Sequence, residues 1–136
     1  MKTKNSTAML KEIAEEAEIF SAILAKREEY TRDFVELFKA NDIKRMYLTG
    51  CGSPGGACIA LKYAAVKLLK VDATYSTPGL LNMHEGFNVA GVYEPDEMVL
   101  VCPGESGRTK GPVIAARKAQ ELGMHVVCTT LEPQGV

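Results

Sequence analysis

Two short stretches concentrate glycine and hydroxyl residues at positions where backbone and side-chain donors could meet an anion. Gly50-Cys51-Gly52-Ser53-Pro54-Gly55 and Gly104-Glu105-Ser106-Gly107-Arg108-Thr109 each follow an apolar run and precede a segment of helical spacing. A loop between a strand and a helix presents backbone N–H groups to a ligand, and the helix N-terminus behind it favours negative charge. In the second loop the amides of Glu105, Ser106 and Gly107, the turn at Gly104, and the hydroxyls of Ser106 and Thr109 form a candidate cradle. Gly52 and Ser53 of the first loop would close it. His84 and Glu85 form an acid–base pair on the segment that follows the second strand, and are the candidates for proton transfer. His125 begins a strand and reads as structural. Cys102 and Cys128, near the ends of neighbouring strands, read as small buried apolar residues.

The string of the first loop also matches G-x-G-x-x-G, the dinucleotide fingerprint, which needs a carboxylate at the end of the second strand for the ribose hydroxyls. Asp72 has a suitable spacing but stands before that strand, and the far end is Ser76-Thr77. A P-loop is excluded because no Lys-Ser/Thr follows the glycines at the required offset. The nucleotide reading is therefore the weakest of three. No cofactor and no metal is called for.

The elements that must carry these loops alternate. The spacing of Met9, Ile13, Ala17, Phe20 and Leu24, continued by Tyr30, Phe34, Leu37 and Phe38, predicts helix over 7–39, either unbroken or divided near 26–32. Ser6 or Thr7 would cap it, and Asn41-Asp42 would close it. Such an arm packs on its own sheet or on a partner subunit. Strands follow at 44–49, 73–76, 98–102 and 124–130, with helices at 56–70 and from Pro112 to Gly123, and a helical turn capped by Thr77 with Pro78 at its first position. Strands separated by helices imply parallel pairing and a doubly wound α/β sheet. In the order 2-1-3-4 the two glycine-rich loops would leave adjacent strands at the switch point, where such sheets bind ligands.

Size and charge narrow the rest. A chain of 136 residues fits one domain, and a net charge of −1 offers no basic field for nucleic acid or an anionic membrane. No apolar run approaches the ~18 residues of a membrane span, and the polar, acidic start is unlike a signal peptide. The four cysteines form no C-x-x-C pair and suit a reducing compartment. The cytoplasm is the expected location.

"YLTGCGSPGGACIALKYAAVKLL" and "MVLVCPGESGRTKGPVIAARKAQELGMHVVCTT" resemble a sugar isomerase (SIS) domain, and "MLKEIAEEAE" resembles the helix that leads into such modules. The group includes the isomerase half of glucosamine-6-phosphate synthase, amino-sugar ketose–aldose isomerases and fructosamine-phosphate deglycases. The resemblance implies a flavodoxin-like doubly wound parallel sheet with helices on both faces, an N-terminal helical arm over 1–42, and an SIS domain over 43–136. It implies a sugar phosphate as ligand and cytoplasmic carbohydrate-derivative metabolism. It also implies a fifth strand and a second SIS half that the sequence does not contain, so a homodimer or association with another SIS domain is expected.

Several positions depart from the family pattern. Where the family has S-Q-S-G-E-T, this chain has Gly104, Glu105, Ser106 and Thr109 at the contacting positions, so one hydroxyl is lost and a carboxylate replaces an amide. Glu105 is expected to turn outward, and Arg108 to restore a positive charge. Pro54 replaces a second hydroxyl in the first loop, and Pro78-Gly79-Leu80 stands where relatives carry a glutamate. The expected function is phosphosugar binding of isomerase or deglycase type. The alternative is a non-catalytic binding or sensor module, or half of a two-part enzyme.

Overall fold

The computed structural model describes residues 4–132. The last four residues of the expected 43–136 domain lie outside that range. The chain divides into two compact units, Met1–Leu37 and Phe38–Val136.

The first unit is helical. Helix α1 spans Lys4–Ala25 and α2 spans Arg27–Ala40, the latter ending three residues into the second unit. The break falls at Lys26, whose amide bonds back to the Ile23 carbonyl at 3.1 Å. Two helices, not one, carry the apolar stripe. The expected caps, Ser6 and Thr7, fall within α1 as described, Lys4–Ala25. Met9, Ile13, Phe20 and Leu24 are exposed.

The second unit is a parallel sheet of β1 (Arg45–Leu48), β2 (Asp72–Tyr75), β3 (Met98–Pro103) and β4 (His125–Thr129), in the order β2-β1-β3-β4. The expected doubly wound α/β topology is present. Helix α3 (Ser53–Ala64), extended by wider turns through Leu69, connects β1 to β2. Helix α4 (Pro78–Leu80), likewise extended through Glu85, follows β2, and α5 (Lys110–Glu121) follows β3.

Alternation along the central strands divides the core. Tyr47, Met98, Leu100 and Cys102 join Leu81, Ala115, Ala119 and Met124 in one cluster with α5 and the α4 segment. Met46, Leu48, Val99 and Val101 are buried on the other face, where α3 packs on the sheet. Strand β3 is buried along its first five residues, which is why it reads as an unbroken apolar run. Each fully buried side chain such as Leu100 contributes about 1.5–3 kcal/mol of transfer energy.

Local chemistry sets the ends of the connecting helices. Thr77 caps α4 by accepting from the Leu80 amide at 3.4 Å, with Pro78 in the first position. Helix α5 ends at Gly123 (φ +79°): its amide bonds Gln120 at 2.9 Å and the Met124 amide bonds Ala119 at 3.0 Å, a Schellman closure. That turn sends the chain directly into β4.

Candidate functional site at the carboxyl edge of the sheet

The strand order reverses between β1 and β3, so the loops that follow these strands turn to opposite faces and leave a cleft between them. This cleft has a volume of about 710 Å³. Gly52, Ser53, Gly104, Glu105, Ser106, Gly107 and Thr109 all line it. Seven residues from two loops about fifty positions apart are thus brought to one cleft.

The first loop is shaped by backbone contact. A Cβ on Gly50 would meet the Gly55 amide nitrogen at 3.0 Å, and one on Gly55 would meet the Tyr75 hydroxyl at 2.8 Å and the Gly50 carbonyl oxygen at 2.9 Å. These two glycines are required by close approach alone. Helix α3 begins at Ser53, three residues earlier than expected, so Pro54 occupies its first turn. A proline there removes an amide that has no helical acceptor anyway. The Gly52 carbonyl accepts from Gly55 and Gly56 at 3.0 and 3.2 Å, while the Gly52 and Ser53 amides find no acceptor among the described residues.

The second loop is held from behind by the chain leaving β4. The Gly104 amide donates to Thr129 O at 2.8 Å, and the Glu105 carbonyl accepts from the Leu131 amide at 2.9 Å and the Thr130 hydroxyl at 2.8 Å. Gly107 turns the loop at φ +65°, a conformation that favours glycine. The amides of Glu105, Ser106 and Gly107 are left without acceptors among the described residues. Ser106 Oγ accepts from the Arg108 amide at 3.2 Å and still has a proton to donate. Thr109 occupies the N-cap position of α5 without a side-chain capping bond, so its hydroxyl is free for another partner.

The charges are arranged differently from expectation. Arg108 pairs with Glu132 at 3.1 Å, which neutralises the cation that was expected to offset Glu105. Arg117 lines the cleft from α5 and has no carboxylate partner among the described residues. Sequence reading passed over Arg117, although Val113, Ala116, Arg117 and Gln120 follow Thr109 at helical spacing on one face of α5. It also passed over Thr130, whose role depends on the chain's return after β4.

His84 and Glu85 are not among the residues that line this cleft. The α4 segment starts at the carboxyl edge, where Asn82 donates to the Gly111 carbonyl at 2.9 Å, and its last residues reach the cavity bordered by Arg45 and Asp72. Glu85 instead lines a second cavity, shared with Arg45 and Asp72, the residues that open β1 and β2. His84 is exposed. The expectation that this segment stays at the carboxyl edge holds only for its first residues.

Comparison with known proteins places this architecture. No family model matches the chain, and no curated protein matches its sequence. Solved structures do match. A Listeria monocytogenes protein named as a sugar-phosphate isomerase is similar over 100% of this chain and 69% of its own, with a TM-score of 0.70 and 18% identity. Tagatose-6-phosphate ketose/aldose isomerase from Escherichia coli is similar over 82% of this chain, with a TM-score of 0.60 and 17% identity. The C-terminal domain of glucosamine-fructose-6-phosphate aminotransferase from Francisella tularensis matches 73% of this chain at a TM-score of 0.58 and 22% identity. The fold is therefore that of the SIS domain, the flavodoxin-like α/β architecture expected from the sequence. The chain spans 30% and 26% of the lengths of the latter two structures.

Proposed function

We propose that the chain binds a phosphorylated sugar in the cleft at the carboxyl edge. The observation that carries this reading is the group of donors left open on one wall: three consecutive amides, Glu105 to Gly107, with the uncapped Thr109 hydroxyl beside them. The phosphate would sit on these amides at the α5 N-terminus, with the Ser106 and Thr109 hydroxyls and Ser53 as further donors. The solved structures named for sugar phosphates support the choice of ligand class, since they share this fold. Arg117 supplies positive charge at the cleft in place of the paired Arg108.

The activity we assign is the anchoring half of a ketose–aldose isomerase or deglycase reaction in amino-sugar phosphate metabolism. Such chemistry moves a proton between adjacent carbons and needs a base beside the sugar as well as a phosphate anchor. His84 and Glu85 lie away from the cleft, which favours a base brought by another polypeptide or a second copy of this chain. A non-catalytic binding or sensor module is the alternative, and the same placement favours it equally. Exposed Ile59 and Tyr63 on α3 and Val66 on its extension, with β4 at the edge of the described sheet, support association. Sedimentation should show a species larger than the 14.7 kDa chain; a clean monomer would remove this part of the proposal.

Calorimetric titration with glucosamine 6-phosphate and fructose 6-phosphate, against the unphosphorylated sugars, tests the binding. Only the phosphates should bind, and Ser106→Ala and Thr109→Ala should each cost about 1 kcal/mol, near fivefold in affinity. An unchanged affinity in the double variant would remove the second loop from the site. Turnover of either phosphate by the isolated chain, lost in His84→Ala, would overturn the division between anchor and base.

A further inference from the structure

Cys102 and Cys128 face each other across β3 and β4 as register partners. Adjacent strands lie about 4.7–4.9 Å apart, inside the ~4.4–6.8 Å Cα separation that a disulfide spans. Paired residues on parallel strands also direct their side chains to the same face. Here the two Sγ atoms are 3.0 Å apart, and both residues line the cleft. Their exposures differ. Cys102 is 5% exposed, whereas Cys128 is open to solvent. Both are thiols in this structure.

We propose that Cys102 and Cys128 form a thiol–disulfide exchange centre at the cleft, with Cys128 as the attacking sulfur and Cys102 as the resolving one, acting on low-molecular-weight disulfides. The step balances. The Cys128 thiolate attacks one sulfur of R–S–S–R, its S–S bond breaks, and R–S⁻ leaves and takes up a proton. Cys102 then loses its proton and attacks Cys128 Sγ, the mixed disulfide breaks, and a second R–SH departs. The protein dithiol is oxidised by two electrons and the small disulfide is reduced to two thiols.

Burial and hydrogen bonding assign the two roles. The contact between the two sulfurs pulls the Cys128 thiol below its ordinary range and, together with burial, pushes the Cys102 thiol up. The more exposed sulfur is thus also the one whose thiolate is favoured, as attack on a soluble disulfide requires. A bridge between these paired neighbours fits the separation a disulfide spans, and its exposed Cys128 end is open to attack by a soluble thiol, as a switching bridge requires. The remaining cysteines lack this arrangement. Cys58 is buried, which pushes its thiol up to about 11. Cys51 is exposed but has no thiol in contact among the described residues.

The test is independent of sugar-phosphate binding, because it reads only thiol chemistry. The full chain carrying Cys51→Ser is incubated with oxidised glutathione, alkylated, digested and weighed. We expect the peptides of Cys102 and Cys128 to become linked, with no glutathione retained on either, and dithiothreitol to restore both thiols. Adding Cys102→Ser should stop the reaction with one glutathione on Cys128. Adding Cys128→Ser should leave Cys102 unmodified. Glutathione stably retained on Cys128 beside an intact Cys102, or modification of Cys102 in the absence of Cys128, would overturn the proposal. So would unreacted thiols at both positions. Peptide mapping without the two serine variants decides the matter even where a variant fails to fold.

Discussion

At the amino edge of the sheet, Arg45 is ion-paired with Asp72 and lies 4.6 Å from the centre of the Tyr47 ring. Tyr93 donates to the same carboxylate at 3.2 Å, Asn88 bonds both Tyr47 and the Tyr93 backbone, and Lys44 is ion-paired with Glu97. At the carboxyl edge, three consecutive amides and the Thr109 hydroxyl have no protein partner among the described residues. Both edges border cavities and both carry polar side chains. What distinguishes them is that the charged and polar side chains named at the amino edge are paired with one another, whereas the loop donors at the carboxyl edge have no partner among the described residues. Polarity alone does not separate the two edges; the pairing of their donors does.

This contrast can be broken or sharpened by substitution. The largest effect is expected in the first loop, where Gly55→Ala forces a Cβ against the Gly50 carbonyl, a backbone atom that cannot rotate away. Urea denaturation should show a loss of about 2 kcal/mol, despite alanine's better helix propensity. An unchanged midpoint would mean that the loop has room to move, and that its glycines are not explained by packing.

The two edges should then separate cleanly into stability and affinity. Asp72→Ala leaves the half-buried Arg45 without its carboxylate and should lower stability by about 1 kcal/mol, with sugar-phosphate affinity unchanged. Thr109→Ala should do the reverse, because its hydroxyl supports no bond in the fold. If Thr109→Ala destabilised the chain and bound sugar phosphate normally, the carboxyl edge would be a structural edge like the other.

Gly56 provides an internal control for Gly55. Nothing lies within 4 Å of a Cβ added there, so Gly56→Ala should stabilise α3 by about 0.5–1 kcal/mol. Glu105→Gln should tighten sugar-phosphate binding slightly, since an exposed carboxylate at the cleft is replaced by a neutral amide. No change would mean that this side chain faces solvent away from the anion.

The smallest effect belongs to the amino edge. The Lys44 hydrogen bond holds Glu97 below the ordinary glutamate range. A depressed carboxylate contributes stability above its unfolded value and loses it as pH falls through the folded one. Acid titration of Glu97→Gln should therefore show a shallower stability loss below the ordinary glutamate range than the wild type does. Identical curves would mean that the pair contributes nothing.

The strand order was an expectation that the fold family supplied, whereas the sequence by itself determined the parallel α/β architecture and the positions of the two glycine-rich loops. These follow from short-range information: the apolar run of β3, Thr77-Pro78 at the start of α4 and Gly123 at the end of α5 each encode a local conformation that the sheet only has to accept. The SIS fold was legible through the resemblance of the two loop-bearing segments to that family. Tertiary structure decided what remained. Pairing of Arg108 with Glu132 depends on the chain returning after β4, which no local pattern reports, whereas Arg117 at the cleft was within reach of helical spacing along α5. The retreat of His84 and Glu85 depends on the direction in which the α4 segment crosses the sheet. The meeting of Cys102 with Cys128 depends on the register of two strands separated by a helix, and a shift of one residue would have put their sulfurs on opposite faces.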